Sequence, residues 1–357
     1  MLKKAIILGI ETSCDETAVA IIREKNNGRA EILSNVVSSQ VEVHKEFGGV
    51  VPELAARSHI EKIDIIAQKA LEESKIKLED VDAVAVTAGP GLIVCLSVGL
   101  NFAKAISASI KKPFIAINHL EGHALSPKLN SDINYPYLLL LISGGHSQYL
   151  LVEGLGKYKR LGTTIDDALG EAFDKTAKLL GIEFPGGPQI EILARKGDPN
   201  RFILPLPIIN RGGCNLSFAG LKTAVLKLSK NIKNENDKYD IAASFQKTIE
   251  KIIYKKSKVA LEQYKKIKKT NNNKFVIAGG VAANKNIRKV LTKLCEEERF
   301  DAIFPPIEFC GDNAAMIAIA GLEKYKKKQF NNLEFSPKPR WALDDKAPFL
   351  KGAGVKI

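Results

Sequence analysis

The sequence predicts an α/β fold of two lobes. Short β-branched or leucine-rich runs alternate with longer amphipathic stretches, the pattern of strands layered with helices. The chain has 357 residues and is 45% hydrophobic, which suits two lobes and a sizeable core. A strand–polar turn–strand pattern also occurs twice, as IILGIETSCDETAVAII near the start and YLLLLISGGHSQYLLVE in the middle.

Taken in order, the opening apolar run is expected as a first strand of a soluble protein, Ala5–Ile10. A secretory signal would need a longer apolar region and a small-residue cleavage site. Thr17–Ile22 is its hairpin partner. His59–Ser74 has helical spacing and leads to a strand at Ala83–Thr87. A helix at Leu96–Ile110 and a strand at Phe114–Asn118 follow. The second hairpin is Tyr137–Ser143 with Tyr149–Glu153. Helices are then expected at Ala168–Leu180 and Ile241–Ile267, a strand at Phe275–Gly279, and helices at Asn286–Glu296 and Asn313–Lys327. No low-complexity linker divides the chain. Residues 1–117, completed by about 315–357, are expected to form one lobe, and 118–314 the other, carrying the histidines discussed below. No apolar run approaches the roughly 20 residues that cross a bilayer, so no membrane partner and a cytoplasmic location are expected.

Five cysteines, an odd number without a CxxC pair, exclude a disulfide framework and a thiolate zinc site. The formal net charge of +13 favours polyanionic partners. Much of the excess lies in the lysine-rich stretch Tyr254–Lys274, for which a solvated surface is the plainer reading.

The segment NHLEGHALSP places His119 and His123 four residues apart, on one face if helical. The zinc-protease signature HExxH has a glutamate directly after the first histidine to act as base; here Leu120 stands there, and Glu121 comes one residue later. Two histidines leave a metal under-coordinated, and a carboxylate is the natural third ligand. CGDNAAM offers Asp312 at a helix start, where an N-cap is the alternative reading.

Three turns are candidates for holding phosphate or nucleoside. ISGGHSQ offers bare backbone at Gly144 and Gly145 and hydroxyls at Ser143 and Ser147, though Gly-Gly also marks an ordinary hairpin. VIAGGVAANK follows a strand and leads to Asn284. In IDDALGEAFDKTAKLLGIEFPGGPQIE, Asp166 or Asp167 is expected to cap a helix, Glu171 and Asp174 share a face, and PGGP is expected as a sharp turn exposing Gly186 and Gly187. None fits the P-loop or the GxGxxG fingerprint. ETSCDET sets Glu11 and Asp15 among hydroxyls, either a polar turn or the rim of an active cleft.

These segments, with FGGVVPELAARSH, GPGL, SFAGLKTAV and GDNAAMIA, occur in one order over nearly the whole chain. Together they closely resemble the TsaD family, bacterial and organellar relatives of the Kae proteins. The resemblance implies an actin-like ATPase fold of the sugar kinase and Hsp70 superfamily, two related lobes around a central nucleotide cleft. It implies transfer of threonylcarbamoyl from threonylcarbamoyl-adenylate to N6 of the adenosine beside the anticodon, in tRNAs reading codons that begin with A. It implies one divalent metal, iron in preference to zinc, on His119, His123 and Asp312. It places contacts to an adenylate-type nucleotide on Ile142, Ser143, Gly144, Gly145, His146, Asp174, Gly187, Glu191 and Asn284. The proteins TsaB and TsaE are expected partners. A metalloprotease and a non-catalytic nucleotide-binding scaffold are the alternatives. Two positions depart from the family pattern: Val94 and Cys95 stand where glycines are usual, and Gly311 replaces a threonine. Within the resemblance, Glu11 or Asp15 is the expected acceptor of the amine proton, and the lysine-rich helix from about Lys251 to Lys269 a candidate to help bind tRNA.

Overall fold

A computed structural model describes residues 4–26, 28–268 and 272–348. Lys269 and the part of the expected first-lobe completion beyond residue 348 lie outside the described residues. The chain forms two compact units, Met1–Ile133 with Gly311–Asp345, and Asn134–Cys310 with Lys346–Ile357. The first unit holds β1 (Ile6–Glu11), β2 (Glu16–Glu24), β3 (Ala30–Ser39), α1 (Val41–Lys45), α2 (Pro52–Ser74), β4 (Ala83–Gly89), α3 (Ile93–Ile110), β5 (Phe114–Asn118) and α4 (His119–Leu125). The second holds β6 (Tyr137–Ile142), β7 (Ser147–Gly154), β8 (Lys157–Thr163), α5 (Leu169–Leu179), α6 (Gly186–Ala194), α7 (Ala219–Ser229), α8 (Glu235–Ile267), β9 (Lys274–Ala278), α9 (Lys285–Glu298) and β10 (Asp301–Ile303). The chain then re-enters the first unit as α10 (Ala314–Lys326).

Each unit carries one five-stranded sheet, ordered β3-β2-β1-β4-β5 in the first and β10-β9-β6-β7-β8 in the second. Read from the opposite edge, the second order repeats the first. In both, three strands form an antiparallel meander, and the first of them pairs in parallel with a fourth strand, which pairs in parallel with a fifth. The two expected hairpins are β1–β2 and β6–β7, paired from Ile6↔Arg23 to Glu11↔Ala18 and from Tyr137↔Val152 to Ile142↔Ser147. Strands β4 and β6 are buried along their whole length, which explains why they read as continuous apolar runs.

The expected lobe edge at 117/118 falls inside the first unit, so α4 and its histidines belong there rather than in the second. The reason is packing: α4 lies on α10 and continues directly from β5. Strands β3, β8 and β10 were not expected. β8 reads KYKRLGT, an edge strand with Lys157 and Lys159 exposed on one face and the polar Arg160 half-buried on the other, which hides the alternation, and β10 has only three residues. PGGP is not a sharp turn, since Gly186, Gly187 and Pro188 form the first turn of α6. α3 is long and apolar enough, by length and composition, to cross a membrane, against the expectation of no such run. Its Cys95, Leu96, Gly99, Leu100 and Ala103 are buried, and it packs on β4 and α2.

Candidate metal centre and nucleotide turns

In the first unit, β5 ends in Asn118, whose side-chain carbonyl accepts the Leu120 amide at 2.9 Å and so caps α4. His119 and His123 then stand one helical turn apart. Between them, a Cβ at Gly122 would come within 2.9 Å of the Ile317 side-chain tip and 3.4 Å of the Met316 carbonyl, so the glycine eases the close approach of α4 to α10. This packing sets the histidines beside Asp312, just ahead of α10, which is capped by Asn313 rather than by Asp312.

Asp312 Oδ1 lies 3.0 Å from His123 Nε2 and 3.5 Å from His119 Nε2. One ligand atom from each of the three residues falls within 4.8 Å of the others. The other face of His119 is held as well: its Nδ1 lies 3.0 Å from Glu11 Oε2 and 3.2 Å from Ser13 Oγ. Glu11 is fully enclosed, accepting also the Ser13 amide and the Thr87 hydroxyl. Burial opposes charge at His119, but Asp312 and Glu11 outweigh it and hold its pKa well above the usual imidazole value. Burial likewise opposes the Asp312 carboxylate, yet His119 and His123 hold its pKa well below the usual range. Glu11 is lowered too, burial being outweighed by His119. Two carboxylates around one imidazole thus attract a cation. The donor set of two imidazole nitrogens and a carboxylate oxygen, with Glu11 behind one imidazole, fits a divalent transition metal. The Nδ1 of His123 is buried and without a hydrogen-bond partner among the described residues, and the ring is held by its Nε2 contact and by edge-on packing against His119 at 4.8 Å.

Glu11 is therefore poorly placed as the expected proton acceptor, because a buried carboxylate with three donors has no open face. Asp15, also expected, is half-buried on the adjoining turn. Its neighbour Glu16 is pushed well above the ordinary carboxyl pKa by burial and by the Asp312 and Asp15 carboxylates. Glu121 is buried and paired with Lys324 at 2.9 Å. It supplies no protease base.

The same unit contains a directed chain of hydrogen bonds. His59 Nε2 donates to the Cys14 carbonyl at 3.0 Å, which leaves its Nδ1 to accept from Thr17 Oγ1 at 2.8 Å and Gln40 Nε2 at 3.2 Å. Gln40 Oε1 accepts from His44 Nε2 at 3.2 Å, and His44 Nδ1 accepts from the Val51 amide at 3.3 Å. The two backbone ends fix both tautomers, since an amide only donates and a carbonyl only accepts.

In the second unit, the turn from Ile142 through His146 closes with the Ser143 amide donating to the His146 carbonyl at 2.8 Å. Gly144 and Gly145 face open space. The N-terminus of α5 is pinned to this turn: Ser147 Oγ accepts the Leu169 amide at 2.8 Å, and a Cβ at Gly170 would lie 2.8 Å from Gly144. Along α5, Asp174 accepts the Gly186 amide at 2.9 Å and so ties in the start of α6, beside Gly187. Glu191 on α6 accepts the Lys285 amide at 3.2 Å and pairs with Arg195. Asn284 caps α9 through the Asn286 and Ile287 amides and exchanges an amide bond with Gln246 at 3.0 Å. The predicted residues of this unit thus form one contiguous series linking the starts of three helices, where backbone amides favour anions. Gly170 and Gly279 belong to the series and were not singled out; a Cβ at Gly279 would meet the Ile142 carbonyl. Asp166 caps α7 through the Phe218 amide at 2.7 Å, whereas the expected cap on α5 falls to Ala168 with Glu171 reaching back.

The chain resembles (R)-2-hydroxyglutaryl-CoA dehydratase component A of Acidaminococcus fermentans, at 16% identity and a TM-score of 0.51, covering 90% of this chain and 98% of that one. It resembles full-length HypF in its phosphate- and nucleotide-bound form at 14% identity and a TM-score of 0.58, covering 93% of this chain and 48% of that one. The fold is the actin-like ATPase fold. In sequence the chain is 73% identical over 357 residues, all of both chains, to the tRNA N6-adenosine threonylcarbamoyltransferase of Pelagibacter ubique (strain HTCC1062). It is 56% identical to the protein of that name from Rickettsia rickettsii (strain Sheila Smith), over 95% of this chain and 98% of that one. It is 51% identical to the Brucella anthropi protein of that name, over 98% of each. A family profile described as "TsaD: tRNA N6-adenosine threonylcarbamoyltransferase" matches residues 31–319. The chain belongs to the TsaD family.

Proposed function

We propose that this chain transfers the threonylcarbamoyl group from threonylcarbamoyl-adenylate to N6 of the adenosine adjacent to the anticodon, in tRNAs reading codons that begin with A, releasing AMP. One observation carries the reading: His119, His123 and Asp312 converge within a chain 73% identical end to end to a transferase of that name.

The exocyclic amine of adenine is a weak nucleophile, because its lone pair is delocalised into the ring. The carbonyl must therefore arrive activated, as a mixed anhydride with an adenylate leaving group. His119, His123 and Asp312 would hold a divalent ion, iron in preference to zinc, which would supply a Lewis acid for the carbonyl or phosphate oxygen. Glu11 orients His119 and fixes which nitrogen faces Asp312. The Gly144 and Gly145 amides, at the open tip of the turn, hold phosphate oxygens. Asp174, Gly187, Glu191 and Asn284 bound the adenosine. Asp15 takes the proton from the attacking amine. TsaB and TsaE are the expected protein partners, and the cytoplasm the expected location.

The test is transfer of labelled threonylcarbamoyl from its adenylate to an A-codon tRNA transcript, with TsaB and TsaE present, beside His119→Ala. Transfer by the natural chain and its loss in the variant support the reading. No transfer, in a mixture where another family member is active, refutes it.

A further inference from the structure

We propose that the segment Ser336–Trp341, SPKPRW, is a preformed cationic rim that receives phosphates of the RNA substrate beside the His119 helix. It rests on tRNA being that substrate. The segment follows α10 and is laid against the first unit by backbone bonds. The Lys338 amide donates to the Ala88 carbonyl at 2.7 Å, and the Gly91 amide to the Pro339 carbonyl at 3.2 Å. Gly89, at φ +145°, leaves the Lys338 carbonyl in the space a Cβ would take. Upstream, Asn331 accepts the Ala116 amide at 2.9 Å.

The segment reaches the metal residues by two short routes. The Asn118 side chain that caps α4 also donates to the Trp341 carbonyl at 2.9 Å, one residue before His119. The turn beneath Lys338 continues to Leu92, whose amide donates to the Ser13 carbonyl at 2.9 Å, and Ser13 Oγ faces His119 at 3.2 Å.

The side chains divide by chemistry. Phe335 and Trp341 pack on the core of the first unit. Lys338 Nζ stands 5.1 Å from the Phe335 ring and 4.9 Å from the Trp341 ring, so the ammonium is held at both rings. Lys338 and Arg340 are exposed, and among the described residues neither has a carboxylate partner. A strap that only covered β5 would need the rings and the backbone bonds, but not two unpaired cations. A ring-held lysine and an exposed arginine two residues on, beside a site that acts on an unpaired base, suit the phosphates flanking that base.

The experiment compares the full chain with K338Q/R340Q, which removes charge from exposed positions. Binding of a labelled A-codon anticodon stem–loop is measured across salt concentrations, and transfer kinetics across tRNA concentrations. The rim predicts that Kd and the KM for tRNA rise by roughly tenfold near 0.1 M salt. It predicts that the slope of log Kd against log salt falls by about one to two. The kcat at saturating tRNA, the KM for the adenylate and the metal content stay unchanged. Unchanged Kd and slope overturn the rim, as does a lower melting temperature and kcat with Kd intact. If the natural chain binds the stem–loop but transfers nothing, the proposed function fails, and the binding comparison still decides the rim.

Discussion

Glu11 Oε2 and His119 Nδ1 lie 3.0 Å apart, on the far side of the imidazole from Asp312. The two residues are separated by 108 positions in sequence, and their contact turns a histidine on a short helix into an oriented ligand. Glu11→Gln keeps one acceptor oxygen, turns the other into a donor NH2, and loses the charge that favours His119 as a donor. Metal affinity is expected to fall by about 10- to 100-fold, read by competition with a chelator. Normal affinity with a collapsed transfer rate would instead make Glu11 the proton acceptor.

Removing the metal with a chelator is expected to abolish transfer and lower the melting temperature, both restored by adding ferrous or zinc ion. Asp312→Asn, which loses a charged ligand, should bind less than one equivalent of metal by elemental analysis. Full metal content in that variant would show that the three residues are not the site.

His59 is buried, and burial lowers its pKa below the usual imidazole value despite the Cys14 carbonyl. A histidine depressed in the fold binds fewer protons than in the unfolded chain. Its contribution to stability is complete above the unfolded value of about 6.5 and is lost as pH falls through the folded value. Protonation would also place an N–H at Nδ1 against two donors. Melting temperature should therefore drop below about pH 6.5 more steeply in the natural chain than in His59→Gln. Parallel profiles would remove His59 as the cause.

Gly170→Ala puts a methyl 2.8 Å from the Ser143 carbonyl and from Gly144. The expected cost is about 1–3 kcal/mol of overpacking, with AMP affinity reduced and metal content untouched. Calorimetric titration with AMP distinguishes this from an intact turn, which would bind normally.

The residues that read clearly in sequence were those whose neighbours lie close along the chain. His119 and His123 share one helical turn, and the two hairpins show themselves as apolar runs flanking polar turns. Glu11 did not read as the partner of His119, because sequence spacing carries no signal for a contact between β1 and α4. Asp166 was assigned to the helix just after it, yet it caps α7, 52 residues on at Phe218. The lobe edge was expected at 117/118, just before His119. The tight seat of Gly122 on α10, visible only in three dimensions, carries α4 with the first unit.

The shared strand order of the two sheets lets their equivalent hairpin turns be compared residue for residue. Where β1 meets β2, the chain carries Glu11, Asp15 and Glu16; where β6 meets β7, the matching stretch Ile142–Ser147 has no acid at all. One strand arrangement thus carries two turns of opposite character, and the difference lies in a few side chains rather than in the strands that present them.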